Sequence, residues 1–143
     1  ALVASASYGN PQRNVTGFDL RRLQMLLAVL ERRAGFQLGT QDVFINVVSG
    51  LKIAEPAAEL GVAIAIISSL KNRVVDAGAL IIGEVGLGGE VRNVGQIRRR
   101  VEEAKKLGFN RIILPHGEHK GLEDLGLTIV PVRSLSAAVD EIF

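Results

Sequence analysis

Arg98, Arg99 and Arg100 stand side by side in a chain of 143 residues, with Arg92 before them and Lys105 and Lys106 after. Guanidinium and ammonium groups at this density can donate to phosphate oxygens, so Arg92, Arg98, Arg99, Arg100 and Lys105 are candidate nucleic-acid contacts. At about 100° per residue, three consecutive arginines fan over about 200° of a helix and cannot share one face while Ile97 and Val101 turn inward. The plainer account is a solvated face partly neutralised by Glu102 and Glu103.

Other segments offer less. Gly83-Glu84-Val85-Gly86-Leu87-Gly88-Gly89 invites a phosphate-cradling reading. It lacks the Gly-Lys-Ser/Thr ending of a phosphate loop, and the third glycine of a dinucleotide loop would fall on Val91, so a β-hairpin turn accounts for it better. His116-Gly117-Glu118-His119 gathers two imidazoles and a carboxylate. Pro115 and Gly117 deny these side chains a helical spacing that would aim them at one ion, so the segment reads as a polar surface loop and no metal site is expected. Ser68 and Ser69 fall inside an apolar helix, where hydroxyls bond back to the preceding turn; Ser49 lies near Lys52 without a spacing that makes a dyad. The absence of cysteine excludes disulfides, thiolate zinc sites and cysteine nucleophiles.

Apolar residues make up 48% of the chain and charged residues 22%, the proportions of a folded domain, and the length fits one domain over residues 1–143. Seventeen Lys and Arg against fifteen Asp and Glu leave a formal charge of +2, which permits polyanion binding without requiring it. The longest apolar run, Leu60–Ile67, is too short to cross a bilayer, and Ala1–Ser7 lacks the basic and apolar regions of a signal peptide. The expectation is a cytoplasmic protein without a membrane partner, and a chain starting at Ala1 reads as a piece of a longer one.

Tyr8–Asn14, with Gly9, Asn10 and Pro11, predicts a turn between two strands. Asp19 reads as the cap of a helix carrying Leu20, Leu23, Leu26, Leu27 and Leu30 to a stop at Gly35. Asp42–Val48 reads as a buried strand. Glu55-Pro56 opens a helix, Ala57–Leu70, with no polar face, which belongs in a core and should pack through its Ala and Gly positions. Ala79–Gly83 is a strand, and Leu87–Glu90 a hairpin turn returning through Val91. Gln96–Leu107 is a helix with Ile97, Val101, Ala104 and Leu107 inward. Arg111–Leu114 and Thr128–Val132 are strands, and Ser134 caps a last helix. Interleaved helices and strands predict an α/β domain with a mixed sheet.

Two stretches resemble a known family. Glu55-Pro56-Ala57-Ala58-Glu59-Leu60, leading into an apolar helix, and Gly83-Glu84-Val85-Gly86-Leu87-Gly88-Gly89-Glu90-Val91-Arg92-Asn93-Val94-Gly95-Gln96-Ile97-Arg98 are similar to the two active-site stretches of the Lon protease domain. With Asn10-Pro11, Thr16-Gly17-Phe18-Asp19, Arg22-Leu23, Leu26–Glu31, Asp42–Val48 and Ala104–Phe109, the match narrows to the C-terminal Lon-like domain of the RadA (Sms) family of bacterial DNA repair proteins, over nearly the full length. The resemblance implies an α/β (α+β) fold like the Lon proteolytic domain, with a mixed sheet and packed helices. It places the nucleophilic serine of active Lon domains on Ala57 and the activating lysine on Arg98. Ala57 has no oxygen to form an acyl-enzyme, and a guanidinium with a pKa above about 12 keeps its proton. Glu59 stands where the active motif has glycine, which puts a carboxylate near the former site.

The implied protein is a pseudo-protease: no catalytic residue and no cofactor in this domain, with ATP, magnesium and zinc belonging to an ATPase core and a zinc-binding segment outside this chain. Family membership implies a hexameric ring that promotes branch migration during recombination. The implied partners are single-stranded, duplex and branched DNA, further copies of the chain, and a recombinase. Six modest basic patches on one ring would act together. Two other classes stay open on sequence: a serine peptidase using another nucleophile, such as Ser49 with Lys52 or Ser69, and an oligomerisation scaffold with no nucleic-acid role.

Overall fold

The computed structural model describes residues 1–5 and 9–143. The expected first turn starts at Tyr8, which lies outside the described residues. Strands β1 (Leu2–Ser5) and β2 (Arg13–Thr16) flank it, but they do not pair with each other: β3 (Gln41–Asn46) lies between them, antiparallel to β1 and parallel to β2. Arg13 and Asn14, assigned to the turn from sequence, belong to β2, because pairing with Val43 and Phe44 overrides their turn propensity.

Helix α1 (Leu20–Ala34) joins β2 to β3. The Asp19 carboxylate accepts the Arg22 N–H at 3.1 Å, and Gly35, at φ 76°, ends the helix in the left-handed conformation that glycine adopts without strain. Strand β3 stops at Asn46, two residues short of expectation, where Val48–Gly50 turn through a left-handed Ser49. Pro56 then opens a short 3₁₀ turn, Pro56–Ala58, that runs into α2 (Glu59–Lys71). As its missing polar face requires, α2 is central, with Leu60, Val62, Ala63, Ile64, Ile66 and Ile67 all buried. Of the expected Ala and Gly positions, Ala63 is fully buried in the core while Gly61 and Ala65 are half-buried, so branched aliphatics share the packing.

Strand β4 (Ala79–Ile81) leads into a hairpin, β5 (Glu84–Val85) and β6 (Val91–Arg92), closed by Gly86 N–H to the Glu90 carbonyl at 2.9 Å. The glycine cluster is thus a hairpin turn. Helix α3 (Ile97–Lys106), β7 (Arg111–Pro115), β8 (Thr128–Val132) and α4 (Leu135–Ile142) complete the chain, α4 being capped by Ser134 as expected. The second sheet runs β4-β7-β8, all parallel, so mixed pairing is confined to the first sheet.

Alternation along β7 builds two cores. Ile113 joins the cluster of α1, α2 and α4, while Ile112 and Leu114 face the opposite way onto Ala57, Ile82, Val101 and Ala104. Leu107, expected inward, is 70% exposed, since it lies about a quarter turn from the stripe of Ile97, Val101 and Ala104. No described helix is long and apolar enough to cross a membrane.

Urea denaturation should separate the two leucine-class positions. Ile64→Ala should cost about 2–5 kcal/mol, and Leu107→Ala should stay within about 0.5 kcal/mol.

Candidate functional site

Parallel pairing of β7 with β8, in register up to Pro115 opposite Val132, delivers the next residues of both strands to one end of the sheet. There the Arg133 guanidinium donates to His116 Nε2 at 2.8 Å. An arginine can only donate, so that ring nitrogen carries no proton in this arrangement. His119 Nε2 donates to the Pro115 carbonyl at 2.6 Å and folds the loop back on its strand. Arg133 is also held from the hairpin, its carbonyl accepting the Val91 N–H at 2.9 Å. Arg92, the last residue of that hairpin, pairs with Glu90 at 2.9 Å.

Helix α3 comes alongside. Arg98 bonds Glu102 at 2.8 Å, and its Nη1 reaches the Lys120 carbonyl at 3.5 Å, lying across Gly121, whose φ of 78° and bare Cα leave room for it. Lys105 is seven residues on from Arg98 and shares its side of the helix. At the carboxyl ends of the parallel strands, where α/β sheets commonly place ligands, the structure thus brings Arg98 to the Lys120 backbone and sets His116 and Arg133 beside the hairpin strand that carries Arg92, while Lys105, two turns further along α3, lies toward the amino ends. Lys105 and Lys120 make no ion pair among the described residues.

Arg99 and Arg100 diverge from this face. Arg100 pairs with Glu55 and donates to the Gly95 carbonyl at 2.8 Å, and both arginines line a groove with Leu80, Leu107 and Phe109. The fan expected of three consecutive arginines is what splits them.

The two positions matched to the Lon dyad behave differently. Ala57 is buried among Ile82, Val101 and Ala104, whereas the Arg98 side chain is 57% exposed and engaged with Glu102. Beside Ala57 opens a cleft of about 580 Å³ lined by Gly17, Phe18, Arg22, Lys52, Ile53, Pro56, Glu59 and Glu84, among others. A side chain at Gly17 would run into the Leu51 carbonyl, and its φ is 77°, so glycine there lets the two rims approach. Glu59 is fully withdrawn from solvent and ion-paired to Arg22. The serines lie elsewhere in other bonds: Ser69 Oγ accepts the Val3 N–H at 2.9 Å and Ser68 donates to the Arg73 carbonyl at 2.5 Å. Among the described residues no group of three or more His, Cys, Asp or Glu converges as metal ligands.

Residues 8–118 match the protein family described as subunit ChlI of Mg-chelatase. The chain is also 45% identical to DNA repair protein RadA of Synechocystis sp. over 139 residues, 97% of this chain and 27% of that protein. It is 51% identical to DNA repair protein RadA of Chlamydia pneumoniae over 122 residues, 85% of this chain and 27% of that one. To DNA repair protein RadA of Pseudomonas aeruginosa it is 45% identical over 143 residues, the whole of this chain and 32% of that one. The chain belongs to the ChlI-type family, in the form carried by RadA repair proteins. It spans about three-tenths of the length of these relatives.

In this RadA-type domain, sequence reasoning missed Lys120 and Arg133 and met His116 only as a metal candidate. The sequence offered two five-residue apolar strands ending at Pro115 and Val132, but only their parallel register in the structure sets His116 opposite Arg133. On the other side of α3, the hydrogen bond from Arg100, aided by its charge, holds the Glu55 carboxyl below the usual glutamate range. Hydrogen bonds from its own backbone N–H and then from Arg92 do the same for Glu90.

An NMR titration should place Glu55 below the ordinary glutamate range, and Arg100→Gln should raise it back toward that range. Because the folded-state value is depressed, ionised Glu55 favours the fold above the unfolded pKa, and this contribution is lost as pH falls through the lowered value.

Proposed function

We propose that this chain is a Lon-like domain without proteolytic activity that serves as a DNA-contacting platform of a larger, cytoplasmic RadA-type repair ATPase. The supporting observation is that Arg98 reaches the Lys120 backbone and Arg133 is tied both to His116 and to the hairpin strand of Arg92, with Lys105 further along the Arg98 side of α3, in a chain whose relatives are DNA repair proteins. Phosphate oxygens would take N–H donors from Lys105 and Lys120, which have no competing carboxylate, and from Arg98 and Arg92 by exchange with Glu102 and Glu90. Such exchange costs little, because both ion pairs are exposed and surface pairs contribute only about 0–1 kcal/mol each. His116 holds the Arg133 guanidinium in the patch by accepting its hydrogen bond.

The Lon dyad positions and the helix serines supply no nucleophile. Ala57 offers no oxygen, Arg98 is turned to Glu102 and Lys120, and the hydroxyls of Ser68 and Ser69 are engaged with backbone. The chain has no cysteine and no phosphate-loop motif, so it does not fit a zinc or ATP site, and those groups would act in the rest of the parent. In the parent the domain would line a hexameric ring that moves branched DNA and meets a recombinase, with six such faces multiplying a modest single-chain affinity.

Fluorescence anisotropy across a salt series tests the DNA contact. Duplex binding should weaken linearly in log salt, and an Arg98/Lys105/Lys120→Gln variant should lose slope by about 0.9 for each phosphate contact removed. Lys71→Gln, on α2 outside this face, should match the wild type. A fluorophosphonate probe should label no serine; labelling at a single serine would favour the peptidase reading instead.

A further inference from the structure

The cleft beside Ala57 holds a group for which DNA binding has no use. Glu59 is 2% exposed and lines the cleft; one of its carboxylate oxygens takes the Arg22 guanidinium, and the other, Oε2, is buried without any hydrogen-bond partner. A withdrawn carboxylate oxygen lacking a donor is unfavourable, so a donor arriving from outside is favoured there. Glu84 lines the same cleft, while Phe18, Ile53 and Pro56 give it apolar walls. The Arg22 side chain is 44% exposed and so is free to release Glu59 to an incoming cation. Phosphate is the wrong ligand for an unpartnered carboxylate, and no cluster of three or more metal-ligating side chains forms among the described residues.

We propose that this cleft receives the ammonium or guanidinium end of a lysine or arginine side chain from a partner polypeptide. The cationic tip donates to Glu59 and Glu84, and the methylene stem packs on Phe18, Ile53 and Pro56, as long basic side chains do when an apolar wall lies beside an anionic end. The cleft volume of about 580 Å³ admits one such side chain with room for water.

The test is an NMR titration of the ¹⁵N-labelled chain with Nα-acetyl-arginine N-methylamide and its lysine counterpart, beside the neutral citrulline and norleucine derivatives. The two cationic probes should shift the Ile53 and Glu59 amides saturably and the neutral ones should not. Glu59→Gln and Glu84→Gln should each weaken the response at least about tenfold. Glu84 is half-buried and outside both hydrophobic clusters, so its variant remains informative if Glu59→Gln impairs folding. An equal response to citrulline, a response unchanged in both variants, or no saturable shift with either cation would overturn the proposal. Both variants should bind DNA as the wild type does, so this proposal and the DNA contact fail separately.

Discussion

Burial of α2 is the constraint on which the other parts depend. A helix with Leu60, Val62, Ile64, Ile66 and Ile67 on several sides has no face to give to water, so α1, α4 and strands of both sheets must close around it. Its first turn is locked to the hairpin by two backbone bonds, Leu60 N–H to the Gly83 carbonyl at 3.0 Å and Gly83 N–H to the Ala57 carbonyl at 2.9 Å. Those bonds set the cleft on one side of the Pro56–Glu59 turn and the second core on the other. Ala57 fits that core as a methyl group and nothing more.

The same lock orients the basic face. With the hairpin fixed on α2, β6 delivers Arg92 to the edge where β7 and β8 end, and the loop after β7 meets α3 through Arg98 and the Lys120 carbonyl. Two sites of opposite charge result. The cationic one is exposed and made of exchangeable ion pairs, which suits a polyanion read by charge rather than by sequence. The anionic one is a cleft and carries a withdrawn carboxylate that is only half satisfied.

Most of the fold was legible in the residues, because periodicity and caps act locally: Asp19, Gly35 and Ser134 sit where their side chains or backbone freedom require. Pairing was not legible. Nothing in Leu2–Ser5 and Arg13–Thr16 says that β3 will come between them, since strand order is decided by tertiary contacts. Helix phase failed at its margin, with Leu107 belonging to the apolar pattern by type but not by angle. The site divided in the same way. Arg92, Arg98 and Lys105 follow from local charge density, whereas Lys120 and Arg133 join them only once β7 and β8 are parallel and in register.

The claim that the loops at the carboxyl ends of β7 and β8 and the Arg98 side of α3 form one DNA-facing surface is tested most directly by photo-crosslinking a bromouracil-substituted duplex to the chain and mapping the attached peptides. Crosslinks should fall at Arg92, Arg98 and Lys105, within residues 116–121 and beside Arg133. Crosslinks confined to the groove of Leu80, Leu107 and Phe109, or to the cleft of Glu59 and Glu84, would contradict it.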